Sequence, residues 1–403
     1  MGFDVEKVRA QYPALADGRA WLDGAAGTQV PEAVIEAISD AYRAGLSNVG
    51  GPYESSRRSS GIVAEARGAV ADLVGAPDPA CVTFGPSMTA LTYRFAGVLA
   101  LGWNPGDEIV VTNLDHDANV RPWVQLAQRA GATVRTAEID PATGELRVDE
   151  VVGLIGDRTK LVAVTAASNI LGVVPDLKPI TDRAREVGAL SYVDGVQHCP
   201  HAHVRIADLG ADFYATSAYK WAGPHLAAVV AADPWGLENL HPDKLKPSPE
   251  SSPERFELGT NPFAAMAGVV AAVEHLADLD TDATGTRAER LATSREAVAA
   301  HEARLANRLF DGLAGLSGVR RHGAPQGPTT PTAFFSVRGK APAEVSAALS
   351  ERGLNVSAGH SYAWELVHAL GIGPEGGVRA SLSHYSTAEE VDRLLTALGE
   401  VSA

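Results

Sequence analysis

Two cysteines, Cys81 and Cys199, are all that 403 residues hold, and they lie far apart with no CxxC spacing. That excludes a disulfide framework and a zinc knuckle, and it fits a reducing, cytoplasmic setting. Positive charge is also short: 34 Lys and Arg face 49 Asp and Glu, a formal net charge of −15. Nucleic acids and anionic membrane surfaces bind through basic patches, so neither is an expected partner. No apolar run is long enough to span a bilayer, and MGFDVEKVRAQYP has acids where a secretion signal would carry a basic patch and an apolar core. Internal repeats and low-complexity tracts are absent. Several catalytic signatures are missing too. No GxGxxG follows a strand, GLIGDRTK lacks the GKS or GKT ending of a P-loop, and His301-Glu302 begins a zincin-like motif that fails at Leu305. No metal site is expected.

What is present describes an ordinary globular chain, 45% hydrophobic and 21% charged, long enough for a large core and two or three domains. One stretch organises it. The β-rich run LSYV ends at Asp194, and a second apolar segment, DFYAT, delivers Ser217 and Lys220 before a Gly-Pro turn. An acid at the end of one strand and a lysine just past the next suit pyridoxal phosphate (PLP) chemistry. The lysine amine condenses with the aldehyde, and the carboxylate keeps the pyridine nitrogen protonated. By spacing alone, the lysine reads more readily as a solvated surface residue.

Strand and helix patterns alternate as far as about Val230, which predicts a parallel sheet wrapped on both faces with its active edge at the strand C-termini. Pro31 opens a helix to about Tyr42 in its first turn, NVGGPYESSRR (48–58) reads as a loop, and a helix runs from Ser60 to Val74. At Ser87 to Thr89 a strand gives way to a helix, whose hydroxyls serve either as a simple N-cap or as part of a phosphate cradle. Ala26 and Gly27 lie in a turn that needs small residues, or wall a substrate site. Asp278 to Gly285 is the linker, and Arg287 to Leu316 is a long helix entering a smaller C-terminal unit. There Ser386 and Glu389 are expected to form a capping box. The division is 15–280 for a large domain, and 281–403 together with 1–14 for a small one.

DGVQH followed by DFYATSAYKWAGPH resembles the class V family of fold-type I PLP enzymes, which includes cysteine desulfurases, selenocysteine lyases and isopenicillin N epimerase; SAYKWAGPHL is similar to its cysteine desulfurase-like branch. The resemblance runs from about Leu22 to the C-terminus. It implies an α/β fold of type I, a large domain with a mainly parallel seven-stranded sheet and a small α+β C-terminal domain. It also implies pyridoxal 5'-phosphate, an amino-acid substrate and a homodimer with shared active sites. Lys220 then carries the Schiff base and Asp194 sits at the ring nitrogen. DHDANVRPW makes His116 the residue stacked on the ring. Met88, Thr89 and Ser217 hold the phosphate, Asn169 and Gln197 lie beside the ring oxygen, and Thr260 of FELGTNP reaches the partner's phosphate. Arg379 of VRASLSHY binds the substrate α-carboxylate, for which its two-pronged guanidinium is suited.

The chain departs from the family in two places. Tyr219 stands where many relatives have histidine before the lysine. SAGHSYAWE (357–365), which corresponds to the loop carrying the persulfide cysteine, contains no cysteine, and Tyr362 lies about where the thiol would be. His360 and Tyr362 are therefore expected to touch the substrate side chain. The reaction is read as a C-S lyase β-elimination without a persulfide. The alternatives are an aminotransferase, other Cα chemistry such as epimerisation or oxidative deamination, and a non-catalytic PLP-binding protein.

Overall fold

In the computed structural model, which describes residues 2–402, thirteen strands fall into three sheets among the described residues. They are β1 (Ala20–Trp21), β2 (Val82–Gly85), β3 (Glu108–Thr112), β4 (Thr133–Ala137), β5 (Thr159–Thr165), β6 (Leu190–Asp194), β7 (Phe213–Ser217), β8 (Ala227–Ala231), β9 (Val319–Arg321), β10 (Thr332–Val337), β11 (Leu354–Asn355), β12 (Ser357–Gly359) and β13 (Gly377–Ser381). The large sheet has the order β2-β8-β7-β6-β5-β3-β4. Strands β7, β6, β5, β3 and β4 are parallel neighbours, whereas β8 is antiparallel to both β2 and β7. The expected mainly parallel, seven-stranded α/β sheet is therefore the one found.

Its central strands are buried along nearly their whole length because helices cover both faces. Successive side chains leave a strand on opposite sides, so Val110, Val162, Val164 and Val193 pack into one core and Ile109, Val111, Leu161, Ala163 and Tyr192 into the other. β4, at the edge, is largely exposed.

The second sheet, β12-β13-β10-β9, is antiparallel. It forms a third core with Leu305, Leu309 and Leu313 of helix Arg287–Ala314 and with Leu394 and Leu398 of helix Ala388–Ser402. Val378 and Ala380 face that core, so Arg379 between them points the other way. β1 pairs in parallel with β11, Ala20 opposite Leu354 and Trp21 opposite Asn355. This places the turn beginning at Asp23 between the two larger sheets.

Three local expectations need correction. The helix expected to begin at Ser60 starts at Glu54, inside the segment read as a loop, because Glu54 favours the first turn and bonds Arg58 one turn on at 2.6 Å. Pro31 is the N-cap residue of helix Glu32–Ala44 rather than its first helical residue. The final capping box is shifted by one residue: Glu390 N–H donates to Thr387 Oγ1 at 3.3 Å and Thr387 N–H to Glu390 Oε2 at 2.9 Å. Ser386 Oγ instead accepts from Ser383 N–H at 3.0 Å.

Gly195, directly after Asp194, has a backbone approached by the buried Tyr214 ring, and a Cβ there would lie 1.9 Å from Tyr214 Cζ. Gly195→Ala should reduce the unfolding free energy by about 1–3 kcal/mol through overpacking. Denaturant unfolding measures this, and an unchanged midpoint would mean that the Tyr214 ring yields freely.

Candidate active site

The C-terminal ends of the parallel strands deliver most of the chemistry. Asp194 closes β6, Ser217 closes β7, and the single 3-10 turn Ala218–Lys220 that follows carries the lysine inward. His116 lies four residues beyond β3 and Asn169 four beyond β5. Met88 and Thr89 open helix Met88–Leu99 after β2, and Ser87 caps it by accepting from Ala90 N–H at 3.2 Å, so the plain capping role is realised. β13 brings Arg379 in from the smaller sheet. These residues line one cavity of about 630 Å³ together with Ala26 and Gln197.

Within it, Lys220 Nζ donates to the Ala25 carbonyl, which also accepts from Gln197 Nε2 at 2.9 Å. Asp194 Oδ1 accepts from Val196 N–H at 2.9 Å. His116 Nδ1 accepts from Ala118 N–H at 3.1 Å, so in the neutral ring the proton sits on Nε2. Arg379 Nη1 donates to the Asn169 carbonyl at 2.8 Å, and its Nη2 to Ser357 Oγ at 3.4 Å.

Burial dominates the electrostatics. It lowers the Lys220 ammonium to about 7, helped by Arg379 and opposed by Asp194. It raises the Asp194 carboxyl to about 6, against the Val196 N–H and Lys220. His116 falls to about 4 through burial, then through the charges of Lys220 and Arg379. Burial brings even Arg379 down to about 10, with Asp23 and Tyr219 pulling it back up. Asp115, next to His116, rises to about 8 because it is buried, although Thr112 Oγ1 and Asn119 Nδ2 both donate to it.

One sequence expectation is not met in the cavity. His360 does not line it; Ser361 and Tyr362 do, and the His360 ring stands edge-on to the Tyr362 ring at 5.9 Å. Thr260, expected to serve a partner's phosphate, is exposed and lies outside this chain's own cavity. Sequence reasoning missed Arg121, Ser357, Thr165 and Tyr93, all of which line the cavity. Arg121 had a local signal, since it lies one helical turn after Asp117. Ser357 had none, because it enters through its register opposite Arg379.

The architecture is shared with known proteins. The cysteine desulfurase CsdA of Escherichia coli aligns with a TM-score of 0.87 and 30% identity over 100% of both chains. The cysteine desulfurase of Thermococcus onnurineus NA1 aligns at 0.90 and 28%, covering 100% of this chain and 98% of that one. In sequence, a probable cysteine desulfurase of Pseudomonas putida is 34% identical over 97% of each chain. An uncharacterized protein of Mycobacterium tuberculosis is 37% identical over 100% of each. The family model described as aminotransferase class-V matches residues 20–394. With that match spanning almost all of a fold-type I structure, the chain belongs to the class-V aminotransferase family.

Proposed function

We propose that this protein is a PLP-dependent C-S lyase that cleaves an amino-acid substrate by β-elimination without a persulfide. The family's enzymes depend on pyridoxal phosphate, and this chain is a cysteine desulfurase-like member of it. The observation that carries the reading is the convergence of Lys220, Asp194 and Arg379, each at most 8% exposed, on one cavity. The residues present also fit the cofactor. Asn169 Oδ1 and Arg379 Nε are buried without hydrogen-bond partners, a lack that a polar guest would relieve.

Bound pyridoxal phosphate supplies an electron sink for negative charge developing at a substrate Cα. Lys220 would hold it through Nζ and, once released, move the Cα proton. Asp194 would keep the ring nitrogen protonated, as a buried carboxylate does for an adjacent cation. His116 would lie over the ring and fix its tilt. Met88, Thr89 and Ser217 would hold the phosphate, with Thr260 supplied by a second copy in a homodimer. Asn169 and Gln197 would flank the ring oxygen, Ala26 would form a wall, and Arg379 would grip the α-carboxylate. Residues 15–280 would form the cofactor domain, and 281–403 with 1–14 the small domain.

The absence of a persulfide rests on the thiols. Cys81 and Cys199 are both fully buried, neither lines the cavity, and 357–365 has no cysteine. Burial also raises both thiols above their ordinary value, which suppresses the nucleophilic thiolate. Transamination is the second reading, favoured by the buried Lys220 near neutral pH, which serves any Cα proton transfer.

Three measurements bear on this. Incubation with cysteine conjugates should release pyruvate and ammonia; stoichiometric conversion to the pyridoxamine form would instead favour transamination. Only unprotonated Nζ is nucleophilic, so cofactor uptake by the cofactor-free protein should rise about tenfold from about pH 6 to pH 8 and then flatten, with no visible band in Lys220→Ala. A rate still climbing tenfold per unit beyond about pH 8 would mean that the lysine is an ordinary one. Arg379→Ala should raise KM for a carboxylate-bearing substrate by about 10- to 100-fold, the scale of a lost charge-assisted pair, and an unchanged KM would remove that role.

A further inference from the structure

The cavity mouth is closed by a turn in an unfavourable backbone conformation. Ser361 and Tyr362 both have positive φ, 47° and 59°, and neither is glycine. Consecutive left-handed residues with side chains persist only where neighbours enforce them. Here the neighbours come from the other sheet's loops. Asn169 Nδ2 donates to the Ser361 carbonyl at 2.7 Å, and Asp117 N–H donates to the Tyr362 carbonyl at 2.8 Å. Tyr362 N–H donates to His360 Nδ1 at 3.0 Å. One turn further on, Arg121 Nη2 joins Glu365 Oε1 at 2.8 Å and Asp117 Oδ1 at 3.0 Å. The His116 segment and the 361–365 turn are thus tied together at two points, and Asn169 adds a third tie from the loop after β5.

The result is an aromatic mouth. The Tyr362 ring lies 5.4 Å from the His116 ring at 31°, and although 67% exposed it lines the cavity with Tyr93, Pro122 and Arg121. Arg121 offers no free charge inward, because two carboxylates bracket it. Arg379 and Lys220 supply the remaining cationic charge in the cavity, and under the proposed function the first is committed to the α-carboxylate and the second to the cofactor.

We infer that Tyr362 determines the substrate side chain and that Arg121 is a positioning residue holding it: the enzyme takes α-amino acids whose side chain is uncharged and ends in an aromatic group, including aryl thioethers. A flat group packs against the Tyr362 ring and Pro122 at the mouth, gaining ring contact and apolar burial, whereas an acidic side chain meets the Asp117 carboxylate. This rests on the proposed PLP function and narrows it to one substrate class.

The test titrates the PLP-loaded protein with S-benzyl-L-cysteine, L-phenylalanine, L-alanine and L-aspartate, following cofactor absorbance to obtain Kd. The two aromatic ligands should bind about tenfold or more tighter than alanine, the scale of one buried ring, with aspartate weakest. Tyr362→Ala should shrink the aromatic preference to about threefold or less. Arg121→Ala should shrink it in the same direction and, in cofactor-free protein, should speed amide hydrogen exchange across 360–366 while leaving β5 and β6 protected. Equal affinities for all four ligands, or a preference for aspartate, would overturn this inference and leave the cofactor reading standing. So would an aromatic preference that survives Tyr362→Ala, or unchanged exchange in Arg121→Ala. Absence of any spectral response, to any amino acid, would remove the proposed function and this inference with it.

Discussion

An amine and a carboxylate have been taken out of water into the same cavity, and the rest of the site follows from the imbalance that creates. Lys220 at 8% exposure and Asp194 at 4% are opposite charges whose attraction should hold both ionised. Burial wins instead, since the lysine falls to about 7 and the acid rises to about 6. For the lysine this amounts to on the order of 5 kcal/mol of penalty on the charged form. That penalty is useful, because the neutral amine is the species that attacks an aldehyde. Arg379 deepens it by adding like charge, so the residue read as the carboxylate clamp also tunes the nucleophile.

Two sheets have to meet for these groups to converge. The parallel sheet presents the C-terminal ends of β3, β5, β6 and β7 along one edge, as such sheets do at their ligand crevice. The antiparallel sheet contributes Arg379 from the face of β13 opposite to its own core. β1 is the splice between them. It pairs with β11, and its continuation brings the Ala25 carbonyl to both Lys220 and Gln197 and the Ala25 N–H to Ser381 Oγ at 2.8 Å. A chain segment at the N-terminal end thereby fixes the lysine's position relative to the C-terminal sheet.

The mouth is built from two segments remote in the chain. Tyr362 and Glu365 follow β12, and Arg121, at the start of helix Arg121–Ala130, reaches Glu365. An ion pair with both side chains about one-third exposed contributes little to stability by itself. Its value is geometric, since it joins two segments that already share the Asp117–Tyr362 backbone hydrogen bond and so confines a ring that solvent would otherwise leave free.

Much of this was legible in the sequence, for reasons that are local. Alternating apolar runs and helix periodicity give the strand and helix order, and Asp194 closes one strand while Lys220 lies three residues past the next, a spacing to which the family resemblance of DGVQH and SAYKW gives meaning. Local reading errs where it depends on which of two adjacent residues caps a helix: Thr387 rather than Ser386 is chosen by where the last helix meets its neighbours. What only the tertiary structure decided is every relation between distant segments. Ser357 enters the site through its register with Arg379, Asn169 bonds Ser361 across 192 residues, and Arg121 reaches Glu365 across 244. The physical reason is that chemistry resides in residue types, which the chain states outright. Burial, shifted ionisation and a closed mouth arise only once packing has removed water from between groups remote in the chain.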